Sequence, residues 1–520
     1  MHSNKTNAFL FACIVAIGGA IFGLDAALIA GTTEMLSAEF SLDPIQLGTV
    51  VSAPALGVLI ALPFAGYVSN RFGRKTALII MAIFYLVSAV ASAFAPSYEV
   101  LVAARLLGGL AFSSLSLTSM YIGEISPPAL RGKLVSMMQI LIVVGLSGAY
   151  FMNYLIFHWS SAELGWVQSM GIDTHTWRWM LGSEIPFALV WFALLLCIPE
   201  SPYWSILVGK TEKAHKALTK LMPADEIDQH IQEVQSSLNK IPGSHSVLAQ
   251  LREIFSSKLR IIFIIALTIG IAQQTTGINA ILFYAQTVFK QLGIGENAAF
   301  TQAIWVGLTS VVFTAAGLFL VDKLGRRPLI IWGMVWIIAS LGICSYAFNE
   351  ARYKLTPEAV EKFEIGSAER LLPITGTTYG NDIAFKNALK DVLGVDDARK
   401  HQSVLLESAV TMNSRLVLIG ILSFIGAFHF SVGPVLWVLY SEIFSASVRG
   451  IAIPMFAIIS SVTSYFVQKF FPWQLENMGM SSIFLFYAST VFVGFIILFF
   501  TLKETKGLSI EAIQERLAWK

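Results

Sequence analysis

Long apolar runs separated by short polar breaks dominate the chain. Twelve stretches contain no Asp, Glu, Lys or Arg: residues 6–24, 44–70, 76–98, 106–123, 134–162, 185–199, 261–289, 297–321, 328–349, 416–441, 450–468 and 477–502. A helix needs about 20 mostly apolar residues to cross the hydrocarbon of a bilayer. The stretches are therefore read as twelve membrane spans, numbered 1–12 in order. Their apolar character is continuous rather than alternating, which argues against the strands of a β-barrel. Gly and Pro fall inside them, at Gly18, Gly19, Pro54, Pro63, Gly108 and Gly109, and membrane helices tolerate both. No small-residue cleavage site follows the first run, and Asp25 interrupts it. That marks a first span rather than a signal peptide.

Composition agrees. Of 520 residues, 55% are hydrophobic and 13% charged, with a mean hydropathy of +0.69 and a formal net charge of +2. Soluble domains carry roughly 25% charged residues, and the shortfall excludes a disordered chain, a nucleic-acid binder and an ordinary cytosolic enzyme. Cys13, Cys197 and Cys344 sit in apolar runs, so no disulfide framework, metal site or cofactor is expected. Short loops set the orientation. Arg71, Arg74 and Lys75 follow span 2 without an acid, and Lys323, Arg326 and Arg327 follow span 8 with one Asp. Glu34, Glu39 and Asp43 follow span 1 without a base. Even-numbered spans thus exit to the cytoplasm, and both termini are cytoplasmic, in an inner (cell) or plasma membrane.

Two polar segments interrupt the pattern. Residues 205–258 are rich in Lys, Glu and Gln with helical periodicity, which predicts a cytoplasmic linker of short amphipathic helices. Residues 350–414 lie outside by parity and have helix-like stretches near 355–364 and 383–393. The expected organisation is a first half at 1–204, the linker at 205–258, a second half at 259–502 carrying the insert 350–414, and a tail at 503–520.

The halves repeat. Gly73-Arg74-Lys75 recurs as Gly325-Arg326-Arg327, 252 positions on, and Glu124 with Arg131 recurs as Glu442 with Arg449, 318 positions on. The difference of 66 is close to the length of the insert, so span 2 corresponds to span 8 and span 4 to span 10. Parallel six-helix halves around a midplane site are the layout of major facilitator transporters. Glu124, Arg131, Glu442 and Arg449 can pair with the basic turns at Arg74 and Arg326, as an inner latch that forms in one state and breaks in the other. Positive-inside anchoring alone is the alternative, against which the duplication argues.

Three ionisable residues interrupt apolar spans: Asp25, Arg105 and Glu184. Each costs roughly 2.5–3.5 kcal/mol at a helix centre, so they should pair, face a cavity or do work. Residue counting puts all three at similar depth, Arg105 roughly 9 Å below its helix end. Either Asp25 carries a coupling proton in competition with Arg105, or the pair is a static salt bridge. Glu184 either joins them or anchors span 6 beside Trp177, Arg178 and Trp179. His158 and His429 are read as satisfied or interfacial. Span 7 holds Gln273-Gln274-Thr275-Thr276-Gly277-Ile278-Asn279. These amides cannot share one narrow stripe, but they can line a wide cavity and offer both donors and acceptors. With Gln139 and Trp437 they suit a neutral polyol better than a phosphate or a cation. Interhelical hydrogen bonding is the alternative.

These motifs resemble the sugar porter family of the major facilitator superfamily: Gly19-x-x-Phe22-Gly23-Leu24-Asp25, Arg105-Leu-Leu-Gly-Gly, Pro199-Glu200-Ser201-Pro202, Gln273-Gln274-x-x-Gly277-Ile278-Asn279, Gly433-Pro434-x-x-Trp437 and Glu504-Thr505-Lys506-Gly507. The likeness implies an all-α membrane protein of two six-helix halves, with 205–258 as its intracellular helical domain. It places Phe22, Gln139, Gln273, Gln274, Asn279 and Trp437 on sugar-contacting positions and Phe283 and Tyr284 at a gate. An acid at Asp25 and at Glu184 is similar to bacterial proton-coupled xylose-type symporters, whereas uniporters of the glucose type carry an amide at the first position. The chain departs from the family at Asn70, Tyr203, Phe283, Ser310 and Ser460-Ser461, and in carrying the insert. The expected function is proton-coupled symport of a monosaccharide, hexose or pentose, through the bilayer by a monomer, and not enzymatic. Uniport is the first rival and a transporter-like sugar receptor the second. A role of 350–414 in substrate capture or partner docking is a third possibility.

Overall fold

Each apolar run coincides with a candidate membrane span. The computed structural model describes residues 2–126, 128–162, 164–240, 247–360, 369–508 and 510–517. Its spans are 1, Thr6–Gly31; 2, Pro44–Phe72; 3, Arg74–Ala93; 4, Tyr98–Ile125; 5, Gly132–Ser160; 6, Thr176–Cys197; 7, Ser257–Phe283; 8, Glu296–Leu324; 9, Arg326–Asn349; 10, Ser414–Ile443; 11, Val448–Asn477; and 12, Met480–Thr501. Spans 4 and 11 grow most beyond their charge-free cores, because Arg105 in one and Lys469 and Glu476 in the other lie inside the helices.

Packing repeats along with sequence. Spans 1 and 5, 2 and 4, 3 and 4, and 3 and 6 pack together in the first half; 7 and 11, 8 and 10, 9 and 10, and 9 and 12 do so in the second. Spans 2 and 11 and spans 5 and 8 join the halves. Glycines set the closest approaches: a Cβ on Gly23 would meet the Ile142 carbonyl of span 5 at 1.9 Å, and one on Gly48 the Lys469 carbonyl of span 11 at 1.8 Å.

The turns into spans 3 and 9 have one construction. Gly73 and Gly325 hold φ of +101° and +93°, a conformation disfavoured for residues with a Cβ. Each leaves room for a carboxylate that caps the next helix. Glu200 accepts from the amides of Lys75 at 2.9 Å and Ser201 at 2.8 Å. Glu504 accepts from Arg326 and Arg327 at 3.0 Å each. A negative charge at a helix N-terminus satisfies free amides and complements the dipole.

Between spans 6 and 7 run the short helices Pro202–Leu207, Thr211–Leu218, Ala224–Lys240 and Val247–Ile254, as the amphipathic pattern predicts. The insert contains short strands as well as helices. It has helices Asp382–Leu393 and Val395–Ala409 and three strands: β1, Arg352–Lys354; β2, Thr378–Tyr379; and β3, Val410–Thr411. They form an antiparallel sheet in the order β2-β1-β3. Its separate core includes Tyr353, Leu355, Phe385, Leu389 and Leu406. The helix expected near 355–364 is described only at Pro357–Val360; residues 361–368 lie outside the described part.

Among the described residues, hydrogen bonds and ion pairs between the two halves all lie toward the insert side. They are Thr33 with Thr287 at 3.0 Å, Tyr150 to the Leu282 carbonyl at 2.6 Å, Lys290 with Glu34 at 2.6 Å and Ser403 to Glu34 at 3.1 Å. The insert side is thus the closed one. Gly73→Ala or Gly325→Ala is expected to lower stability by about 1–3 kcal/mol through the left-handed backbone and the displaced carboxylate. Gly132→Ala, with nothing within 4 Å of its Cβ position, is expected to be neutral; thermal unfolding of the purified protein checks both.

Candidate functional site

Two polar centres interrupt the helix bundle, one in each half. In the first half, Asp25, Arg105 and Glu184 are 4%, 2% and 3% exposed. Arg105 Nη1 donates to Asp25 Oδ1 in a close ion pair and also approaches the Asp25 carbonyl. Glu184 lies beside this pair and interacts electrostatically with both groups. Span 1 supplies the first group, span 4 the second and the start of helix Ile185–Cys197 the third, so the depth expected from residue counting is met. Asp25 Oδ2, Glu184 Oε1 and Arg105 Nε have no protein partner. Two carboxylates against one guanidinium leave one negative charge uncompensated. Two carboxylates attract each other only when they share a proton, and one proton makes the cluster neutral.

In the second half, amides form a chain across three spans. Span 7 breaks at Gly277, φ +78°, between helices Arg260–Thr275 and Ile278–Phe283; a Cβ there would meet the Tyr487 ring at 2.4 Å. Span 10 breaks at Ser431. The breaks meet: Gln273 Nε2 donates to the Gly433 carbonyl at 3.2 Å, beyond the break in span 10. Gln274 donates to Gln273 at 3.1 Å, and Asn279 donates to Gln274 and to Ser464 at 2.8 Å each. Gln468 donates to the same Ser464 hydroxyl at 2.7 Å. Ser464 and Gln468 were not among the expected site residues. Their signal is the polar spacing Ser460, Ser464, Gln468, one face of span 11. Span 11 therefore does carry an amide, two turns beyond Ser460-Ser461.

Trp437 stands one turn beyond Gly433, 44% exposed, with its edge on Tyr440. Phe22 packs edge-on against Phe112, ring centroids 4.5 Å apart. Gln139 is half-buried and has no hydrogen bond among the described residues, so neither it nor Phe22 joins the amide chain. Tyr284 is fully buried, its hydroxyl donating to the Gln468 carbonyl at 3.2 Å beside Phe471. Phe283 is half-buried against the same core. His429 meets Thr314 at 3.2 Å, and His158 stacks on Tyr154.

The charged helix ends pair within each half. Arg74 holds Glu124 at 2.9 Å, Glu124 also takes Ser201 Oγ, and Arg74 reaches Asn70 at 3.0 Å. Arg326 holds Glu442 at 2.7 Å, and Glu442 takes Thr505 Oγ1 at 2.6 Å. Glu200-Ser201 and Glu504-Thr505 thus play one part twice, which sequence reading missed because they lie outside the two aligned repeats. Burial raises the Glu200 carboxyl above its usual range, against the opposing pull of the Lys75, Ser201 and Arg74 amides and the Arg74 charge. Arg449 departs from the expected pairing: its guanidinium donates to the Phe444 carbonyl at 3.0 Å. The side chain of Arg131 lies outside the described part. Among the described residues, these ion pairs brace each half.

Two pseudo-equivalent six-helix halves, with a buried ion pair in one and an amide-lined break in the other, define a membrane transporter of the major facilitator type. The family model for "Sugar (and other) transporter" matches residues 11–357 and 400–517, and the chain belongs to that family. It is 30% identical to the arabinose-proton symporter of Bacillus subtilis over 97% of this chain and 94% of that protein. It is 29% identical to the D-xylose-proton symporter of Escherichia coli K12 over 98% and 96%. The inward-open structure of the E. coli xylose transporter XylE aligns with a TM-score of 0.73 at 27% identity, over 99% of this chain and 100% of that one.

Removing Arg105 leaves two buried carboxylates without a cation, so Arg105→Met is expected to cost about 3–5 kcal/mol. Adding Asp25→Asn is expected to recover most of that loss, and thermal unfolding of the single and double variants measures the coupling.

Proposed function

We propose that the chain is a proton-coupled monosaccharide symporter of the cell membrane that works by alternating access. Both termini and the linker 205–258 face the cytoplasm, and the insert 350–414 lies outside. The basic loops after spans 2 and 8 and the acidic one after span 1 support that orientation. Closure on the insert side then makes the described state inward-facing. One chain supplies both halves of the site, so it functions as a monomer.

The observation that carries the reading is the buried cluster of two carboxylates against one guanidinium. A proton taken up between Asp25 and Glu184 neutralises it and competes with Arg105 for Asp25. Arg105 is then freed from span 1, and the first half can change its contacts. When the proton leaves, the ion pair re-forms. The sugar, a hexose or pentose, binds between the halves, its hydroxyls exchanging hydrogen bonds with Gln273, Gln274 and Asn279 and its ring lying on Trp437. Phe22 and Gln139 close the pocket from the first half, and Phe283 and Tyr284 gate it. Relatives named as arabinose-proton and D-xylose-proton symporters support this substrate class. One proton moving through 100 mV supplies about 2.3 kcal/mol, or roughly fifty-fold accumulation.

The test is uptake of labelled pentoses and hexoses into sealed vesicles with and without an imposed proton gradient. Wild type is expected to accumulate at least one sugar only with the gradient, and Asp25→Asn only to equilibrate or exchange it. If wild type merely equilibrates and the variant matches it, the protein is a uniporter with a structural ion pair. In the same assay Asn279→Ala is expected to raise KM about tenfold, one lost hydrogen bond in a dry site, while accumulation remains gradient-dependent.

A further inference from the structure

The insert plays no part in the transport cycle described above, and the family model passes over residues 358–399. Its attachment is nevertheless built from charges. Lys386, 1% exposed, pairs with Asp382 at 2.8 Å and donates to the Leu475 carbonyl of span 11 at 2.8 Å. Lys390 and Arg399 both meet Glu476, at 2.8 and 3.4 Å. The other edge rests on the turn between spans 7 and 8. Ser414 donates to the Leu292 carbonyl at 2.9 Å, and a Cβ on Gly295 would meet Glu407 Oε1 at 3.3 Å. The insert is therefore fastened to the last six spans and moves with them.

Its helix Val395–Ala409 also reaches the first half. Ser403 Oγ donates to Glu34 Oε1 at 3.1 Å. Glu34 Oε2 takes Lys290 Nζ at 2.6 Å, and Lys290 also holds Glu296 at 2.6 Å. Four charged groups meet here among the described residues. Glu34 comes from the segment after span 1, Lys290 from helix Ala285–Lys290, Glu296 from the start of span 8 and Glu407 from the insert. Glu34 and Glu296 share one ammonium, and the Glu407 carboxylate lies beside the Gly295 turn that starts span 8.

We propose that the insert is a proton-sensitive clasp: Ser403 and Glu407 complete the Glu34–Lys290–Glu296 bridge across the outer entrance, and acid outside tightens it. The direction follows from the crowding. Burial pushes the Glu407 carboxyl above its usual range; Lys290 pulls it down, while Glu296 and Glu34 push it further up. Opening carries Glu34 away with spans 1–6 and uncovers Glu407, returning it toward its ordinary value. A carboxyl that holds its proton more tightly in the closed form favours that form as pH falls. The window lies just above the ordinary carboxylate value of about 4.3. Burial opposes the charge on Lys290, but Glu34 and Glu296 outweigh it and hold the ammonium above its usual value. Acid therefore acts on the carboxylate and leaves the cation in place. The inference rests on the proposed orientation and proton coupling: where outside acid drives uptake, the same acid helps the entrance shut behind a loaded site.

The test uses the full chain with Cys13, Cys197 and Cys344 changed to Ser and spin labels attached at Glu99→Cys and Asn477→Cys, one on each half at the insert end. Label-to-label distances give the closed-to-open ratio at about pH 7.5 and about pH 4, either side of the window. Wild type is expected to close more at the acid value, tenfold in the ratio for each unit by which closure raises the carboxyl. Glu407→Gln is expected to be closed at both, with a flat response. Ser403→Ala is expected to lower the closed share at both and keep the response. A wild-type response in Glu407→Gln, or an unchanged ratio in Ser403→Ala, overturns the proposal. Asp25→Asn separates it from the transport reading. A response that disappears there but survives in Glu407→Gln sinks the clasp and leaves symport standing. Wild type that accumulates no sugar in a gradient, yet closes through Glu407, sinks symport and keeps the clasp.

Discussion

In hydrocarbon a backbone amide, a carbonyl or a charge without a partner costs several kcal/mol, so each departure from a straight apolar helix needs a matching group. That constraint explains where the irregular positions of this chain lie. Span 7 opens at Gly277 and span 10 at Ser431, and the breaks sit where Gln273 can supply the missing donor to the Gly433 carbonyl. The turns at Gly73 and Gly325 free the first amides of spans 3 and 9, and Glu200 and Glu504 cap them. Asp25 could not remain charged in span 1 without Arg105.

The two halves answer the constraint differently, and the difference divides the labour. Their helix pairs and capping carboxylates match, so the scaffold was duplicated. The interior groups were not: the first half holds ionisable groups and the second holds neutral amides. In the proposed cycle the first half therefore carries the proton, and the second supplies most of the polar contacts to the sugar. Coupling has to cross the interface between halves through contacts such as Tyr150 with the Leu282 carbonyl and Thr33 with Thr287. Both join the second-half partner just beyond the break in span 7, the segment that also carries Asn279. A change at Asp25 and a change at the amides thus converge on one short stretch of chain.

Much of this was legible in the residues, and the exceptions have physical causes. Apolar runs of membrane length and the recurrence of Gly73-Arg74-Lys75 as Gly325-Arg326-Arg327 are local signals that survive any packing. Arg105 and Glu184 were visible because charge in an apolar run is costly wherever the helix ends. Ser464 and Gln468 were hidden because a span's sequence does not say which turn faces a neighbour; only the position of Asn279 makes them part of the site. Glu200 and Glu504 look like interfacial acids until the positive-φ glycines bring distant helix ends to them. Arg449 shares its spacing with Arg131, but the nearby Phe444 carbonyl is its partner. The strands of the insert, two or three residues each, are too short to carry an alternation.

The insert follows from the same constraint applied at the membrane edge. A loop between spans 9 and 10 needs only a few residues, and a longer one must bury a core of its own or stay disordered. This one has a core, built on Tyr353 and Phe385. Lys386, Lys390 and Arg399 go to a carbonyl and an acid at the end of span 11. Such fastening to a single half makes the insert a rigid extension of that half, so whatever it touches on the other half is touched in one state and released in another. Ser403 on Glu34 is that contact. A polar group held there by a rigid arm changes the free energy of closure without entering the sugar site, and an exposed-side carboxylate beside it makes that free energy depend on pH.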